Sequence, residues 1–173
     1  MMTLTGQPIR TSEISFFVLK ILLMKPFWTL IVCFCIGACS SNQNTAQVFA
    51  TEAGAIGGYD PVAYFTQSQP VKGIKEFSFE YADQSWYFAS AENLELFKSN
   101  PEKYAPQFGG YCAYGMSRGY KAKTEPDAWT IVEGKLYLNY NTDVRNIWNE
   151  KQSEFIEKAN ANWPTVKVSK FEN

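Results

Sequence analysis

The segment Ile14 to Ala38, ISFFVLKILLMKPFWTLIVCFCIGA, is the strongest constraint in the sequence, because a run this apolar is directed at a membrane and leaves the remainder to fold. Lys20, Lys25 and Pro26 interrupt it. Read as a membrane span it is long enough, but two lysines would sit in or beside hydrocarbon. Read as a secretion signal it works from Met24: Lys25 supplies the positive region, Phe27 to Ile36 the apolar one, and Gly37-Ala38 a small-residue cleavage site. The signal is the favoured reading, with Met24 as the expected start and an uncleaved anchor as the competing one.

Ile36-Gly37-Ala38-Cys39 resembles a bacterial lipobox. That resemblance implies that residues 1–38 are removed, that Cys39 carries a diacylglyceride, and that the protein is an envelope lipoprotein facing the periplasm. Ser40 resembles the second residue of lipoproteins sent to the outer membrane. The polar stretch SSNQNTAQ then reads as tether, assigning 39–56 to a lipidated cysteine and flexible linker. Residues 57–164 are expected to form one domain and 165–173 a tail, a normal domain size.

Sixteen basic against seventeen acidic residues give a net charge of −1, and removing 1–38 makes the chain slightly more acidic. No basic field exists for nucleic acid. The chain contains no histidine, which excludes histidine triads and histidine zinc sites. Once Cys33, Cys35 and Cys39 are assigned to the signal and lipid site, Cys112 is alone, so the domain has no internal disulfide.

Along the domain, Asp60 can cap a turn opened by Pro61. Phe77, Phe79 and Tyr81 alternate with polar residues, Ala82-Asp83-Gln84 turns, and Trp86 and Phe88 resume the alternation, predicting an antiparallel hairpin. Ser90 caps a helix AENLELFKS with Leu94 and Phe97 on one face, ended by Asn100-Pro101, and Pro101–Tyr104 adds a turn. The glycine-rich stretch 107–119, QFGGYCAYGMSRG, reads as a shaped loop. Residues 129–132, a Glu133-Gly134 turn and residues 135–139 predict a second hairpin. Asn141 or Thr142 caps a helix with Val144, Ile147 and Trp148 on one face, and Phe155, Ile156, Ala159 and Trp163 continue at helical spacing up to Pro164. The expected class is α+β: a small antiparallel sheet from two hairpins packed with three or four short helices. Trp86, Trp129, Trp148 and Trp163 are candidates for an aromatic core.

The stretch from Trp86 to Tyr104, WYFASAENLELFKSNPEKY, resembles the YHS domain family. Tyr87, Phe88, Ser90, Phe97 and Asn100 to Tyr104 fall on its pattern, and Asp60-Pro61-Val62 is similar to its earlier Asp-Pro-Val. GGYCAYGM and LYLNYN resemble an exported, lipoprotein subgroup. The resemblance implies a metal-binding fold, often for copper, with cysteines where this chain has Ala63, Ala89 and Asn93, and a histidine it lacks altogether. The family's ligand set therefore does not carry over, whereas its fold does.

The remaining candidate metal ligands are Cys112 and Met116, four apart, which share a face if the segment is one helical turn. Thiolate plus thioether suits Cu(I), with Tyr111 and Tyr114 as candidate pocket residues. The competing reading makes Cys112 a small buried residue and Met116 a gap filler. Cys112 has no base beside it, Asp60, Glu125 and Asp127 form no identifiable acid–base pair, and Gly109-Gly110 lacks a phosphate-loop frame. The expected function is a non-enzymatic, lipid-anchored binding module, with copper held by Cys112 and Met116 as the leading specific ligand; the alternative is a structural protein docking on another envelope protein without a metal.

Overall fold

The structure is a computed structural model describing residues 46–171, which form an α+β fold. Ala50–Thr51 (β1) pairs antiparallel with Gly54–Ala55 (β2), and Ala63–Thr66 is a short helix (α1). Ile74–Tyr81 (β3) and Gln84–Phe88 (β4) form the first hairpin. Ala91–Ser99 (α2) and Pro101–Tyr104 (α3) follow, then a 3-10 turn at Gln107–Gly110 and Ala113–Ser117 (α4). Trp129–Val132 (β5) and Lys135–Leu138 (β6) form the second hairpin, before Thr142–Asn149 (α5) and Gln152–Val166 (α6). Among the described residues no helix is long and apolar enough to cross a membrane.

Both expected hairpins are present, but as separate two-stranded ribbons rather than one sheet. In β3–β4 the turn residues Ala82 and Asp83 both take positive φ, and Glu133-Gly134 does the same in β5–β6, the mirror-image turn geometry that matches the twist of the strands. Ser90 Oγ accepts the Asn93 N–H at 3.2 Å, Asn100 Oδ1 that of Lys103 at 3.1 Å, and Asn141 Oδ1 that of Val144 at 2.9 Å, so three helix starts are capped.

Two aromatic cores sit on either side of β6. Leu136 and Leu138 face one, with Val48, Val62, Tyr64, Trp86, Phe88 and Phe97; Tyr137 faces the other, with Phe49, Phe108, Tyr111, Met116, Trp148 and Phe155. Phe97 is the hub of the first: its ring lies 5.1–6.4 Å from those of Phe79, Tyr81, Trp86 and Phe88. Trp86 and Trp148 are fully buried, whereas Trp129 and Trp163 pack against the cores partly exposed. Ile147, expected on the buried face of its helix, is 47% exposed, because only Trp148 of that turn enters the core.

Packing among the described residues continues on both sides of positions 57 and 164, the expected domain bounds. Val48 and Phe49, assigned to the tether, are buried on opposite cores, and the Phe49 N–H donates to Gly109 O at 2.8 Å. A side chain on Gly109, at φ +62°, would strike the Gln47 carbonyl, so this glycine is the crossing point for the N-terminal segment. At the other end α6 runs through Pro164 to Val166, which is buried, and Phe171 packs edge-on against Phe49 and Tyr111. Lys121 fastens both ends: its Nζ donates to Ala46 O (2.9 Å), Lys167 O (3.0 Å) and Ser169 O (2.9 Å) and lies 5.1 Å from the Tyr111 ring centroid. Burial pulls its pKa down, while the three carbonyls and the ring favour its charged form.

Replacing Phe97 by Ala is expected to destabilise the domain by about 3–5 kcal/mol, the usual range for emptying a buried aromatic position. Urea unfolding at constant m-value reads this; a loss below about 1 kcal/mol would mean that the first core does not depend on this ring.

Candidate functional site

Cys112 and Met116 do lie on one helical turn. Cys112 is the residue before α4, and the Met116 N–H donates to its carbonyl at 2.8 Å. Both side chains are fully buried. The thiol is already engaged, since Sγ accepts the Gly115 N–H at 3.4 Å and lies 3.7 Å from Asn139 Oδ1, which also accepts the Tyr114 N–H at 3.1 Å. Cys112 thus acts as a helix cap with the role usually played by Ser or Asp. Burial pushes its thiol pKa up, the backbone N–H groups of Gly115, Tyr140 and Tyr114 opposing this more weakly, so the thiol form is favoured over the thiolate that a metal would need. Met116 packs within the second aromatic core.

The tyrosines beside them serve the packing. Tyr111 donates its hydroxyl to Ala46 O at 2.9 Å, and burial pushes its pKa up to about 12. The Tyr114 ring meets that of Phe155 edge-on at 5.2 Å. Cys39, the expected lipid site, lies outside the described residues.

A second cluster centres on Asp60, which is 0% exposed. Its Oδ1 accepts the N–H groups of Val62 (2.8 Å) and Ala63 (3.3 Å), closing the Asp-Pro-Val turn into α1. Its Oδ2 accepts the Ala89 N–H at 2.8 Å and Asn93 Nδ2 at 2.6 Å. One carboxylate thereby ties α1, the end of β4 and α2 together. Ala63, Ala89 and Asn93 are the positions where the family resemblance implies cysteines, and all three meet here. They do not fit a metal: two present methyl groups, the third presents an amide, and their N–H groups already satisfy the only carboxylate among them. Among the described residues no group of three or more cysteines, aspartates or glutamates is arranged to hold an ion.

Nearby, Tyr64 donates its hydroxyl to Pro126 O at 3.2 Å, and burial raises its pKa further than that of Tyr111, helped by Tyr59, Asp127 and Asp60. Residue type alone does not single out Asn139, because an asparagine after an apolar strand looks like a loop residue. The available signal is strand alternation, which puts Asn139 on the same inward face as Tyr137.

Residues 62–108 match the family model described as the YHS domain, a span that contains Ala63, Ala89 and Asn93 but neither Asp60 nor Cys112. No curated protein and no solved structure matches the chain.

Replacing Asp60 by Ala leaves four donors without their acceptor; with each unpaired buried group costing about 1–3 kcal/mol, a loss of roughly 3 kcal/mol or more is expected in denaturant unfolding. An unchanged midpoint would remove Asp60 from the role of structural hub. Tyr111 predicts alkaline sensitivity. An unfolded tyrosine ionises near 10 and the folded one near 12, so its contribution is intact below pH 10 and lost as the pH rises towards 12. Phenolate absorbance with parallel unfolding midpoints checks this; ionisation of every tyrosine near 10 in the folded protein would contradict it.

Proposed function

The chain carries a YHS domain over residues 62–108, and from that premise we propose that it is a non-enzymatic interaction module of the bacterial envelope, held at the outer membrane by a lipid on Cys39 and working without a metal. The observation that carries this reading is the conversion around Asp60. Positions that the family resemblance gives to soft ligands are occupied by Ala63, Ala89 and Asn93, which act as packing and as hydrogen-bond donors. What such a cluster supplies is rigidity at the junction of three elements. Its chemistry is complete within the protein.

Anchoring and export rest on the lipobox-like Ile36 to Cys39. The exposed apolar side chains Tyr120 (52% exposed) and Val168 (58%) are what supports a docking role on another envelope protein. The soft-metal reading retains one favourable observation, the single helical turn that carries Cys112 and Met116. Against it stand the engaged, protonated thiol and the aromatic packing of Met116.

An anaerobic Cu(I) competition titration of the detergent-purified protein, beside its Cys112→Ser and Cys39→Ser variants, decides between them. The expected result is no tight stoichiometric Cu(I) that depends on Cys112, with Cys39→Ser released from the membrane fraction. Tight binding abolished by Cys112→Ser would instead make this a copper-handling lipoprotein.

A further inference from the structure

Among the described residues, three buried side-chain nitrogens have no hydrogen-bond partner: Asn139 Nδ2, Arg145 Nε and Trp148 Nε1. All three are donors, and they come from one short stretch of chain. Buried donors are almost always paired, so three together call for an acceptor.

The fold places the three residues on neighbouring elements. Tyr137 and Asn139 project from the same face at the end of β6, and Trp148 packs on Tyr137 with ring centroids 5.3 Å apart. Arg145 lies one turn before Trp148 on α5. Its Nη1 donates to Asp127 O at 3.1 Å, while the Asn139 N–H donates to the carbonyl of the next residue, Ala128, at 2.8 Å. The Arg145 guanidinium and the Asn139 backbone are thus fastened to adjacent residues, and the Asn139 side-chain oxygen is held by the Tyr114 N–H of α4.

We propose that the region between β6, α4 and α5 binds a small carboxylate, with Asn139 Nδ2, Arg145 Nε and Trp148 Nε1 as its donors. A carboxylate only accepts hydrogen bonds, matching a set that only donates, and its charge is balanced by the guanidinium. A water molecule fits less well, because its own protons need acceptors and Asn139 Oδ1 is already shared by the Tyr114 N–H and the Cys112 thiol. Asn139 and Trp148 are fully buried whereas Arg145 is half-buried, so access is from the Arg145 side and the bound group must be small. The carboxylate comes either from a free acid or from an acidic side chain of a docked protein. None of the three donors belongs to the Cys112–Met116 turn or to the Asp60 cluster.

The test is an NMR titration of the Trp148 indole N–H in the detergent-purified, full-length protein, assigned with Trp148→Phe. Sodium formate and acetate probe the free acid, N-acetyl-aspartate amide the protein side chain, and sodium chloride at equal ionic strength is the control. A saturable shift with formate or acetate but not chloride supports a free-acid site, and one with the aspartate probe alone supports a docked side chain. Arg145→Met, at a half-buried position, should weaken either by about tenfold or more through loss of a charge-assisted bond. No saturable shift with any carboxylate, or in a folded Arg145→Met protein a shift equal to that of the original chain, overturns the proposal; should Arg145→Met not fold, the titration of the unmodified protein decides alone.

Discussion

The domain depends on a strand that is buried on both sides. Leu136 and Leu138 point into one aromatic core and Tyr137 and Asn139 into the other, and the short N-terminal stretch repeats the device with Val48 and Phe49. Because side chains alternate strictly along a strand, a slip of β6 by one residue would exchange two leucines for a tyrosine and an asparagine in the first core. The register is held from outside as well, since Asn139 bonds Ala128 and Glu125 through its backbone and Tyr114 through its side chain. Positioning of α4, and with it Cys112 and Met116, follows from this strand.

Asp60 shows what a buried charge does to the chemistry available around it. A carboxylate removed from water has to be met by donors, and every group that meets it is thereby unavailable as a metal ligand. Cys112 illustrates the same competition on a softer atom: a sulfur that caps a helix and sits in a low-dielectric interior is held as thiol. Both clusters are constrained by the same need to satisfy polar atoms away from solvent.

Much of the fold was legible in the sequence because its cues are local. Alternation at Phe77, Phe79 and Tyr81, the Glu133-Gly134 turn and the caps at Ser90 and Asn141 each act within a few residues. What was not legible depends on distant partners. Polar residues 40–47 read as linker, yet Ala46 supplies the carbonyl that Tyr111 and Lys121 share, and Val48 and Phe49 are only two apolar residues in a weak local pattern. Lys121 looks like surface charge until residues 167 and 169 return to it. The segment that carries Cys112 and Met116 reads as a shaped loop because of its glycines, yet part of it is helical; spacing in any case cannot distinguish a ligand pair from a cap and a core residue, which depends on Asn139, arriving from another element.

Lys121 closes the described stretch of chain into a ring without a covalent bond. One ammonium touches Ala46, the first described residue, and Ser169, two before the last. The path between two tail segments is therefore only as long as the reach of a single side chain, and a brief glycine linker would suffice to join them. Such a ring could be cut elsewhere, most naturally at the exposed Glu133-Gly134 turn, to give a circular permutant with the same contacts and a new pair of ends on the opposite termini of β5 and β6.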